Sequence, residues 1–164
     1  MIARYLVVAG RIRQELVTLE RVVTRVERAA HILGQLTEYQ DLLLDATALN
    51  LHDFYGGLER ILLHVASTID GSVPSGAEWP RDLLRQMQMP LPQLRPPVVL
   101  PETGAMLDEY LRFRHVVRSV YAFDFVLERI VPLVQRLRPC FTRVQNELEG
   151  FADWLEQLAQ ADND

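Results

Sequence analysis

Apolar residues along this chain recur at alternating steps of four and three. Tyr5, Ala9, Ile12, Leu16, Leu19, Val23, Val26, Ala30 and Leu33 trace one such line, the seam of a helix with a single buried face. The helix it predicts runs from about Ile2 to Gln35 and, at the usual rise, is about 50 Å long. Arg13, Glu20, Arg21 and Arg28 fall on its other side as a solvated charged face. A matching seam closes the chain: Ile130, Val134, Leu137, Phe141, Val144, Leu148, Phe151, Leu155 and Leu158. Pro139 lies inside that last helix and is expected to interrupt and kink it.

Between the two seams the pattern predicts three further helices. One starts at Thr37, a candidate N-cap, and continues to Ile69 or Asp70, with Leu51, Phe54, Leu58, Ile61 and Val65 on its stripe. Gly56 and Gly57 sit mid-helix, where glycine costs stability, so a close helix crossing or a kink is expected there. Residues 71–101 hold seven of the nine prolines, and Pro96-Pro97 excludes regular helix locally. Only Pro80 to Met89 reads as a short helix, with Leu83, Leu84 and Met87 tucked under the long connection. A fourth long helix spans Pro101 or Glu102 to about Phe123, with Met106, Tyr110, Phe113, Val117 and Val120 on its apolar side.

No strand-like alternation extends beyond Val98-Val99-Leu100, and no fixed-period repeat is present. The expected fold is all-α: an up-and-down bundle of four long antiparallel helices, plus one short helix in a Pro-rich connection. One domain covers residues 1–160, and the polar tail 161–164 frays.

Composition narrows the picture. A chain of 164 residues fits one core, and its apolar share of nearly one half excludes disorder. The single cysteine, Cys140, excludes an internal disulfide and a Cys-based metal site within one chain, which suits the cytoplasm. The apolar opening from Met1 to Gly10 is broken by Arg11 and Arg13, and no small-residue cleavage site follows. Nowhere is there an uncharged apolar run of about 18 residues, so no membrane span is expected. A net charge of −5 argues against nucleic-acid binding through the whole surface and leaves room for a local basic site.

Residues 112–121 supply such a site. They read Arg-Phe-Arg-His-Val-Val-Arg-Ser-Val-Tyr. On a helix, Arg114 and Arg118 lie one turn apart, with Tyr121 near the same line and His115, Ser119 and Arg112 in the adjoining sector. Arginine binds phosphate bidentately and stays charged, whereas histidine titrates near neutrality. Together they provide what RNA strand cleavage needs: an acid or base for the 2′-hydroxyl, and cationic stabilisation of the phosphorane. The competing reading is a solvated face with arginines paired to acidic neighbours such as Asp108.

The segment from Leu111 to Tyr121 resembles the signature of HepT-like HEPN proteins, the toxin partners of minimal nucleotidyltransferases. Their motif is Arg, four residues, His, one residue, Tyr. Arg114 matches its arginine and Tyr121 its tyrosine, while Ser119 stands where the histidine belongs. The bundle order and Asn50-Leu51-His52-Asp53-Phe54-Tyr55 extend the likeness more loosely. The resemblance implies a homodimer, a nucleotidyltransferase antitoxin of the minimal (MNT) type, RNA as ligand, and metal-independent endoribonuclease activity without a cofactor. It also makes Tyr121 the position open to modification with AMP. Serine is no base at neutral pH without help, so His115, one turn earlier, is the candidate substitute. The alternative is a catalytically inactive HEPN-fold interaction module that acts through complex formation.

Other polar groups are less specific. Asn50 and Asp53 are candidates to orient the arginines of the fourth helix. His52-Asp53, with His31 and Asp108 or Asp124, invites comparison with helical metal-dependent phosphohydrolases, but the dipeptide is common by chance. Glu59 and Arg60 read as surface charge, and Trp79 and Trp154 as packing anchors. A purely structural bundle is the third function class, since heptad seams also serve oligomerisation.

Overall fold

The computed structural model describes residues 2–119, 121 and 125–162. The expectations placed on Met1, Val120, Phe123, Asp124 and the last two residues of the tail fall outside them. The described residues form five helices and no strand: α1 (Ile2–Gln35), α2 (Gln40–Val65), α3 (Trp79–Gln88), α4 (Pro101–Ser119) and α5 (Leu127–Ala161). The protein is an all-α helical bundle. No described helix is long and apolar enough to cross a membrane.

The seam of α1 is buried from Val8 to Val26, as its four-three steps require. Leu19 on α1 approaches Gly57 on α2, and Glu15 pairs with Arg60, so the two helices run antiparallel. Helix α5 also runs antiparallel to α1, because Arg13 meets Asp153 while Arg138 meets Glu20. Helix α4 packs on α2 and α5, with Tyr110 donating a 2.7 Å hydrogen bond to the Leu133 carbonyl.

Two features differ from the sequence reading. Helix α2 begins at Gln40 rather than next to Thr37, because Tyr39 adopts a left-handed φ of 61° that breaks helical continuity. Its far end reaches Asp70, as the sequence reading expects, through a π-helical turn, Ala66–Asp70, closed by Gly71 at φ 67°. Helix α5 is continuous through both Pro132 and Pro139, so Pro139 does not interrupt it. Of the expected α4 stripe, Tyr110 and Phe113 are buried and Met106 and Val117 partly so. The buried face is centred on Thr103, Leu107, Tyr110 and Leu111.

The Pro-rich connection is pinned by one buried ion pair. Arg95, with its side chain fully buried, reaches Asp70 through two bonds of 2.5 and 2.7 Å. Its remaining donors meet the carbonyls of Gln86, Met89 and Pro96. A buried guanidinium is tolerable only when its N–H groups are satisfied in this way. Val98 and Val99 are buried and donate their backbone N–H groups to Met87, plugging the core instead of forming a strand. The start of α4 is then held by Glu147 of α5, which accepts from the Leu100 N–H and the Thr103 hydroxyl.

Candidate functional site

Helices α2 and α4 meet along apolar faces that each contain one charged residue. On α2, Glu59 lies one turn after Tyr55 and three residues before Leu62, so it occupies a core position and is buried. On α4, Arg114 continues the line of Leu107 and Leu111, and its side chain is 17% exposed. The two form an ion pair. Oε2 of Glu59 and Nε of Arg114 remain buried with no hydrogen-bond partner among the described residues. Tyr55 stands beside them; burial, then the Glu59 charge, pushes its phenol above the usual range.

This placement separates residues that the sequence grouped. Arg114 is turned to α2, whereas Arg112 and His115 face α3. There they line a cleft of about 360 Å³ with Glu78, Pro80 and Arg81. Arg112 pairs with Asp108 at 2.6 Å, and Arg81 approaches the same carboxylate at 3.9 Å. An adjoining cleft of about 580 Å³ shares Arg81 and Arg112 and adds Arg85, Gln88 and Asp108. Arg118 is exposed and meets no carboxylate among the described residues. The two guanidiniums of 114 and 118 therefore do not project together into open solvent, because the first is bound internally.

Ser119 is exposed, and its hydroxyl donates to the Val116 carbonyl of its own helix at 3.0 Å. Tyr121 is 73% exposed. Neither Asn50 nor Asp53 has a bond to an arginine: the Asn50 amide donates to the Ala46 carbonyl, and Asp53 lies 3.4 Å from His52. The carboxylate that holds the α4 arginine is Glu59, which the sequence reading left on the surface. One signal was available, a charged residue at a stripe position between Tyr55 and Leu62.

Among the described residues no group of three or more His, Cys, Asp or Glu side chains is gathered to hold a metal. His52 meets only Asp53, and Asp108 is engaged by arginines. The Cys140 thiol is buried in the core, which pushes its pKa up to about 12 and makes it a poor nucleophile. Trp79 and Trp154 pack against the core.

Fold and site together define a class: an all-α helical bundle with an arginine-bearing helix late in the chain. The model of the family described as HepT-like protein matches residues 46–155, and the chain belongs to that family. The match covers most of α2, all of α3 and α4 and most of α5, and leaves α1 outside. No curated protein and no solved structure gives a significant match.

Proposed function

We propose that this chain is the HEPN-type component of a toxin–antitoxin pair, a homodimer in the cytoplasm that binds RNA through the end of α4. Its partner is a minimal nucleotidyltransferase, and the exposed Tyr121 is the position that such a partner would modify. The observation that carries the reading is Arg118, exposed near Tyr121 and unneutralised by any described carboxylate in a chain of net charge −5.

The geometry favours binding over cleavage. Cleavage of RNA needs a proton acceptor and a cation at one phosphate. Here the residue at the motif's histidine position is a serine bonded to its own helix, and Arg114 is already neutralised by Glu59. Fluorescence anisotropy with labelled RNA tests the proposal: Arg118→Gln weakens binding and lowers its salt dependence, whereas an unchanged salt dependence counts against it. Co-expression with a nucleotidyltransferase encoded beside the gene tests the pairing, with co-purification and an AMP adduct on Tyr121 as the readouts.

A second reading has its own support. His115 shares a cleft with Arg112 and Arg81, so a titratable ring and two guanidiniums stand at one place. In this reading the chain is a metal-independent endoribonuclease with His115 as the base. Cleavage that survives a chelator and disappears in His115→Ala supports it, and an intact RNA pool after incubation with the wild type rejects it.

A further inference from the structure

The six arginines and three glutamates of α1 are sorted by the fold. Arg13 is taken by Glu149, Asp153 and Glu156 of α5, Glu20 and Glu27 by Arg138 of α5, and Glu15 by Arg60 of α2. Arg11 meets His64 of α2 and Arg4 stacks on the Tyr5 ring, which leaves Arg21, Arg25 and Arg28 outside. All three are exposed, and none has a hydrogen-bond, ion-pair or ring partner among the described residues.

Their spacing of four and three puts them on one face over about 10 Å of helix. No acidic residue stands three or four positions from any of them; Arg25 has Arg21 and Arg28 there instead. Like charges at that spacing oppose helix formation. No described residue supplies a compensating carboxylate, so an external polyanion would relieve a repulsion that the chain maintains.

We propose that this outward face of α1 is a second RNA-backbone surface, across the bundle from the end of α4. Helices α1 and α4 each pack on α2 and α5 and not extensively on one another, which places the stripe away from Arg118. Arginine's planar fork suits phosphate oxygens, and three in a row suit a chain of phosphates better than one isolated anion. The stripe contacts backbone and not base edges, so it adds affinity without sequence preference. The inference rests on the RNA-binding reading above and extends it to a helix outside the family match.

The test is a salt titration of binding to a fluorescein-labelled single-stranded RNA. It compares the full chain with Arg21→Gln/Arg25→Gln/Arg28→Gln, with the corresponding triple Lys variant, and with Arg112→Gln/Arg118→Gln. Three phosphate contacts predict a slope of log affinity against log salt smaller by about 2 in the triple Gln variant, with about tenfold weaker binding at low salt. The triple Lys variant retains the slope. Melting temperature stays level or rises in the Gln variant, because a repulsion is removed. Wild-type binding by the triple Gln variant, with weakening only in Arg112→Gln/Arg118→Gln, overturns the α1 surface and leaves the α4 reading standing. No RNA binding by the wild type at low salt overturns both. Stripe-dependent capture by phosphatidylserine vesicles, in place of RNA, rejects RNA as the occupant.

Discussion

Glu59 on α2 and Arg114 on α4 form an ion pair inside the seam between their helices, each on the side of its helix that faces the other. Burying two charges is costly, and their mutual attraction offsets that only when the remaining polar atoms are satisfied. Here one carboxylate oxygen and one guanidinium nitrogen are not. The pair therefore contributes little net stability to the fold.

Removing one partner exposes that cost. Arg114→Ala or Glu59→Ala is expected to destabilise the chain by about 3 kcal/mol, because the other charge stays buried and unpaired. Glu59→Leu/Arg114→Met restores most of the loss. Urea denaturation reads both, and an additive double variant would show that the pair is not coupled.

Histidine at the serine position tests the chemistry of α4. Ser119→His is expected to introduce RNA cleavage that a chelator does not inhibit, more strongly when Glu59→Gln also frees Arg114. No cleavage in either variant means that the missing histidine is not what separates this chain from a nuclease.

Two adjacent glycines should respond in opposite directions. A Cβ on Gly57 would lie 2.7 Å from Leu19 Cδ2 and 2.9 Å from Glu15 Oε1, whereas one on Gly56 meets nothing closer than 4.0 Å. Gly57→Ala is expected to cost about 1–2 kcal/mol by overpacking the α1–α2 crossing. Gly56→Ala gains about 0.5–1 kcal/mol from helix propensity. Thermal melts of the two single variants distinguish them.

The buried Arg95–Asp70 pair holds the Pro-rich connection. Arg95→Ala is expected to cost about 3–5 kcal/mol and to open residues 89–100 to limited proteolysis. Cleavage elsewhere, with this segment still protected, would show that the prolines alone keep it in place.

His64 gives the fold a pH dependence. Burial, and then the charge of Arg11, lower its pKa below the ordinary histidine value. As pH falls below about 6.5, the unfolded chain binds a proton before the folded chain does, so stability declines until the folded pKa is passed. Urea midpoints between about pH 7.5 and 5.5 should therefore fall more steeply for the wild type than for His64→Gln.

The periodic spacing of Ile12, Leu16, Leu19 and Val23, and of Phe141, Val144 and Leu148, was enough to read α1, α5 and an all-helical bundle. A 3.6-residue repeat of apolar side chains leaves a helix one face to bury, whatever its partner. The short α3 was legible for the same reason, and the concentration of arginine near residue 114 was visible as composition. Where α2 begins was not legible, because Tyr39 is held in a left-handed conformation that its residue type does not announce. Which charges meet also depended on packing. Glu59 and Asp53 look alike in sequence, yet one lies in the seam with Arg114 and the other at the surface beside His52. Local spacing determines the face on which a side chain emerges. Only the assembled helices decide what stands opposite, and with it whether an arginine is neutralised or presented to solvent.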